Sequence, residues 1–128
     1  MQTNGSNAVS RVLDQQKVNL EPTVIDDGST DHSIDIIKSF GNQVRWKTGT
    51  NRGACGARNC GLDLASARFI IFLDADDYIE PDSIVDCVVL GKGADLTFGP
   101  FAYEIGGRRT LGRPLLGIVK TDSIFVSG

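Results

Sequence analysis

Phe69-Ile70-Ile71-Phe72-Leu73 runs without a break into Asp74-Ala75-Asp76-Asp77, and no other stretch of the 128 residues restricts the fold as much. Five consecutive apolar residues, rich in β-branched and aromatic types, predict a strand buried on both faces. The three carboxylates that follow repel one another and cost energy beside a core. Such a cluster suits a cation, and a divalent metal holding a phosphorylated ligand is the natural candidate. An acidic, solvated turn after a core strand is the plain structural alternative.

The same pattern occurs earlier in the chain. Thr23-Val24-Ile25 predicts a strand that Pro22 keeps from starting much sooner. It empties into Asp26-Asp27-Gly28-Ser29-Thr30-Asp31, where glycine permits a sharp turn and the residues after it cap helices well. Ahead of it, Ala8, Val9, Val12 and Leu13 give a short amphipathic helix from a cap at Ser6 or Asn7 to about Gln16. After it, Ile34, Ile37 and Phe40 form the buried face of a helix that Gly41 stops.

Val44 to Lys47 is a short strand with alternating apolar residues, and Ala54 to Ala67 a helix of small residues. Gly56 and Gly61 lower its propensity by up to about 1 kcal/mol each, so backbone or ligand should approach closely there. Pro81-Asp82 opens a helix with Ile84, Val85, Val88 and Val89 as its apolar stripe and Gly91 at its end. Leu96-Thr97-Phe98 reads as a strand, and Phe101 to Glu104 pairs with the residues after Arg109 around Gly106-Gly107. Leu115 to Ser127 is apolar without a clear period.

Strands alternating with helices predict an α/β domain with a mainly parallel sheet, a single domain over residues 1–128. Ligands bind such sheets outside the carboxyl ends of the strands, and both acidic motifs fall there. Two acidic clusters on one sheet edge weaken the solvated-turn alternative.

A net charge of −3 argues against a nucleic-acid partner, which calls for a basic face. No apolar run approaches the roughly 18 to 20 residues that span a bilayer. Met1 to Ser6 lacks the basic and apolar parts of a signal peptide, so a cytoplasmic protein is expected. Cys55, Cys60 and Cys87 are odd in number and unlike a zinc site in spacing, and read as small packing residues. His32 is the only histidine, which excludes a His-based nucleophilic or multi-His metal site.

Val24-Ile25-Asp26-Asp27-Gly28-Ser29-Thr30-Asp31, then Asn51-Arg52-Gly53 with Ala57-Arg58-Asn59-Cys60-Gly61, then Phe72-Leu73-Asp74-Ala75-Asp76-Asp77 with Pro81-Asp82 resembles a family 2 glycosyltransferase of the GT-A fold. The order and spacing agree from about Asn4 to about Gly99. The resemblance implies a Rossmann-like sandwich that binds a sugar on a nucleoside diphosphate, usually a UDP-sugar. It implies that Asp26 and Asp27 lie at the nucleotide, with Asp27 bonded to the base. Arg58 would lie near the phosphates or pair with a motif aspartate. Asp74 and Asp76 match the metal-binding D-x-D pattern for Mn2+ or Mg2+, with Asp76 the direct ligand. Asp77 would support the site or cap the following turn.

The chain also departs from that pattern. Family members open with an apolar strand that lies mid-sheet beside the nucleotide, and this sequence starts at the turn after it. The acidic residue that serves as catalytic base falls beyond the metal motif, and Glu104 and Asp122 are poor substitutes. The sequence therefore reads as truncated at both ends, with its catalytic residues unknown. Direct pairing of the flanking strands, another segment such as Leu115 to Val126, or a second chain could fill the missing strand's place. A homodimer sharing or exchanging sheet edges is one expectation. Beside an active inverting transferase stands an inactive relative serving as a nucleotide-sugar-binding or assembly module, or a mobile-element product without a settled role.

Overall fold

The computed structural model describes residues 4–77, 79–93, 101–112 and 123–127. The elements run α1 (Asn4–Leu13), β1 (Glu21–Asp26), α2 (Ser33–Ser39), β2 (Arg45–Thr48), α3 (Gly53–Leu64), β3 (Ile70–Asp74), α4 (Ser83–Leu90), β4 (Phe101–Ile105), β5 (Arg108–Gly112) and β6 (Ser123–Ser127). The mixed α/β order with a parallel sheet is the expected one. Helix α1 starts two to three residues before the expected cap and ends at Leu13 rather than near Gln16. Helix α3 stops at Leu64, where Ala65 turns extended, short of the expected Ala67.

Four parallel strands form the main sheet in the order β2-β1-β6-β3. The chain's last described segment thus fills the place between β1 and β3 that the resemblance gives to an opening strand. Of the three ways to fill that place, the structure shows the second: a segment of the same chain. β6 lies in one register with both neighbours, Ser123 level with Glu21 and Ile70, and Ser127 level with Ile25 and Asp74. A strand with neighbours on both sides has no need of polar alternation, which accounts for the missing period in its sequence.

Alternate residues of each strand face opposite sides. Val24 and Leu73 join Ala8, Val9 and Val12 of α1, Ile37 of α2, Val44, and Ile84 of α4 in one buried cluster. On the other side α3 packs along β1 and β6, with Ala57 and Gly61 buried. Gly61 is buried, while at Gly56 what approaches is the Arg52 side chain, which fills the space a Cβ would enter.

β3 was expected to be buried on both faces. Ile70 and Leu73 are buried, whereas Ile71 and Phe72 are partly exposed. Among the described residues β3 is an outer strand of its sheet, with a neighbour on one side only. β2, the other outer strand, is exposed along its length and carries Arg45 and Lys47, charges that discourage further strand pairing. β4 and β5 form the expected hairpin around Gly106-Gly107, as a separate antiparallel pair. The strand expected at Leu96 to Phe98 lies outside the described residues. The three cysteines are free, and Cys55 is exposed rather than a packing residue.

Candidate functional site

The common register brings the two acidic motifs to one edge. Asp74 ends β3 level with Ile25, so Asp26, the last residue of β1, stands one step beyond it at the same carboxyl end.

Asp26 is 3% exposed and structural in its bonding. Its Oδ2 accepts from Thr48 Oγ1 at 2.8 Å and from the Ser29 N–H at 3.3 Å, and its carbonyl accepts from the Gly49 N–H at 2.8 Å. Burial pushes this carboxyl up, but the Ser29, Thr48 and Gly28 donors together outweigh it and hold the group below its ordinary value. The turn closes tightly because Gly28 takes φ +84°, and a Cβ there would stand 3.0 Å from the Asn51 nitrogen and 3.1 Å from the Gly49 oxygen.

Asp27 reaches across to α3. Its Oδ1 accepts from the Arg52 N–H and its Oδ2 from the Gly53 N–H, both at 2.7 Å. It supplies from another loop the cap that Arg52, at the helix's own N-cap position, does not provide. Each carboxylate oxygen can accept more than one donor, so this bonding leaves acceptor capacity toward a ligand.

Arg58 projects from α3 to β3, where Nη2 donates to Asp74 Oδ1 at 2.8 Å, both side chains partly exposed. Of the two expected partners, the motif aspartate is the one bonded. The loop after β3 is fixed by a reciprocal pair: the Asp77 N–H donates to the Asp74 carbonyl at 3.0 Å, and the Asp74 N–H to Asp77 Oδ2 at 3.2 Å. Asp77 thus closes the turn that precedes it, from Asp74, rather than capping the one that follows. Desolvation, then the charges of Asp74 and Asp76, push its carboxyl up. Asp76 is exposed at the tip.

Buried Gln15, after α1, anchors the far end of this loop. Its Nε2 donates to the Glu80 carbonyl at 2.9 Å, and its Oε1 accepts from the Ile84 N–H at 3.3 Å. Asp82, at the N-cap of α4, takes φ 62° and makes no side-chain cap, so Gln15 supplies one. Sequence reasoning missed Gln15, and no local signal marks it: a glutamine in a polar turn reads as solvated.

Among the described residues, no three His, Cys, Asp or Glu side chains converge as a metal-holding group. Mg2+ and similar hard cations are typically held by one or two carboxylates together with substrate phosphates. This loop offers two such carboxylates, Asp74, bonded to Arg58 through Oδ1, and the exposed Asp76. Of the weak base candidates, Glu104 lies on β4 opposite Arg109, away from the main sheet in pairing, and Asp122 is outside the described residues.

A model of the family described as Glycosyl transferase family 2 matches residues 6–118. An uncharacterized glycosyltransferase of Haemophilus influenzae is 43% identical over 97 residues, 71% of this chain and 39% of that protein. The chondroitin synthase of Pasteurella multocida is 39% identical over 83 residues, 62% of this chain and 9% of that protein. The Escherichia coli UDP-Glc:alpha-D-GlcNAc-diphosphoundecaprenol beta-1,3-glucosyltransferase WfaP is 43% identical over 72 residues, 55% of this chain and 29% of that protein. The chain spans well under half the length of each of these relatives. No solved structure gives a significant match.

Proposed function

The chain belongs to glycosyl transferase family 2, a family of sugar transferases, and we propose that its carboxyl sheet edge binds a nucleoside-diphosphate sugar together with Mn2+ or Mg2+. The observation that carries this reading is the shared register through β6, which sets Asp26-Asp27 and Asp74-Ala75-Asp76 level on one sheet edge with a single strand between them. Asp27 receives the base, and Asp76, exposed at the loop tip, is the direct metal ligand with Asp74 beside it. Arg58 holds Asp74 in place and faces the phosphates. A bound cation supplies neutralisation of the charge that develops on the diphosphate as the glycosidic bond breaks. Uridine is the favoured base, since a relative's printed name specifies UDP-glucose. Transfer, if the chain performs it, is inverting.

A second reading, a donor-binding module without turnover, draws support from the pairing of Glu104 with β5 rather than with the main sheet. Hydrolysis of a UDP-sugar with Mn2+ separates the two, because it needs no acceptor. Release of UDP supports the transferase; metal-dependent UDP binding without release supports the module. Absence of any nucleoside-diphosphate binding contradicts both.

No helix among the described residues is long and apolar enough to cross a membrane, and the cytoplasm remains the proposed location. A homodimer that shares sheet edges would pair at β3, since β6 fills the central place and the charges of β2 discourage pairing there.

A further inference from the structure

We infer that β6 sets the width and level of the donor site, an inference that rests on the diphosphate-binding reading above. Neighbouring strands lie about 4.8 Å apart, so one intervening strand holds the ends of β1 and β3 about 10 Å apart. Direct pairing of β1 with β3 would halve that distance. It would crowd Asp26 and Asp27 against Asp74 and Asp76 and leave no room for a base at one side and a metal-bound diphosphate at the other. The register matters as much as the spacing. A slip of one residue along either ladder would move Asp74 by about 3.3 Å relative to Asp26 and turn its side chain to the opposite face.

Helix α3 measures the same gap independently. Its first turn is held by Asp27 beside β1, and Arg58 reaches Asp74 at the end of β3. From Gly53 to Arg58 the helix rises about 7.5 Å, and with the arginine's reach that spans a sheet with one strand between β1 and β3. Ser123–Ser127 is therefore a positioning element of the site, although it stands almost fifty residues after the metal motif.

Two measurements on the full chain test this. With Cys55, Cys60 and Cys87 replaced by serine, Glu21→Cys and Ser123→Cys put thiols at directly paired positions, within the Cα separation of about 4.4–6.8 Å that a disulfide needs. Oxidation is expected to link them within one chain, seen as a cross-linked peptide in the monomer fraction. A link found only between chains, or none, overturns the inference. The second variant, Val126→Pro, breaks the ladder one row before the site. UDP with Mn2+ is expected to bind at least tenfold more weakly, while uridine, which needs only the β1 side, changes less than twofold. Equal loss of both, or retention of both, overturns the inference. A parent chain that binds no nucleoside diphosphate overturns the donor reading and the width with it, and the cross-link still reports where β6 lies.

Discussion

Arg58 Nη2 lies 2.8 Å from Asp74 Oδ1 and ties α3 to the last residue of β3. The pair is partly exposed, so its direct worth to stability is up to about 1 kcal/mol. The Arg58 charge bears on Asp77 as well as Asp74, and in the proposed donor site that is its larger effect. Arg58→Met should lower the urea midpoint slightly and weaken UDP binding at least tenfold. Stability falling alone, with UDP affinity intact, would leave Arg58 a purely structural role.

Asp27 should matter to folding as well as to binding. Asp27→Ala leaves the Arg52 and Gly53 N–H groups without their acceptor at the start of α3. A loss of about 1–2 kcal/mol is expected from denaturant unfolding, the upper range for a cap. Asp27→Asn keeps one acceptor oxygen and should recover part of it. No change in either variant would contradict the capping role.

Gln15 is the polar residue whose loss should cost most for its size. Gln15→Leu fills similar volume but removes the acceptor of the buried Ile84 N–H, while the Glu80 carbonyl keeps the Ser83 N–H. One unsatisfied buried N–H costs about 1–3 kcal/mol. Amide exchange should also quicken at Ile84 and through the start of α4. Exchange rates equal to those of the parent would show that the clamp does not hold the loop.

Asp26 gives a pH signature. Its folded carboxyl lies below its ordinary value near 3.8, so its ionised form stabilises the fold. That contribution is complete above the ordinary value and is lost as pH falls through the lowered folded one. Asp26→Asn should therefore be less stable than the parent at pH 7, by about 1–2 kcal/mol for the acceptor it loses, and the gap should close below pH ~3.8. A gap that stays constant down to pH 2 would mean that ionisation is not what Asp26 contributes.

Much of this was legible in the sequence. Apolar runs that empty into aspartates at Asp26 and Asp74 mark strand ends, and glycine after Asp27 marks the turn, because these are local requirements of backbone and burial. What was not legible is contact between distant segments. Asp27 to Gly53 and Gln15 to Ile84 each start from a polar side chain whose own neighbourhood looks solvated. The place of Ser123–Ser127 is the extreme case: an apolar stretch without a period fits a central strand, a core helix or an outer covering equally well. Only the vacancy that the resemblance opened between β1 and β3 singled it out, and then as one of three choices. The burial of β3 was over-read for the opposite reason, since an apolar run does not say how far out in the sheet it lies.

Calorimetric titration of UDP into the parent and into Asp76→Ala, each with and without Mn2+, tests the central claim most directly. The parent should bind UDP at least tenfold more tightly with Mn2+ than without it, and Asp76→Ala should lose that difference while keeping the parent's unfolding midpoint. UDP binding that ignores the metal, or a metal effect that survives in Asp76→Ala, would contradict the account.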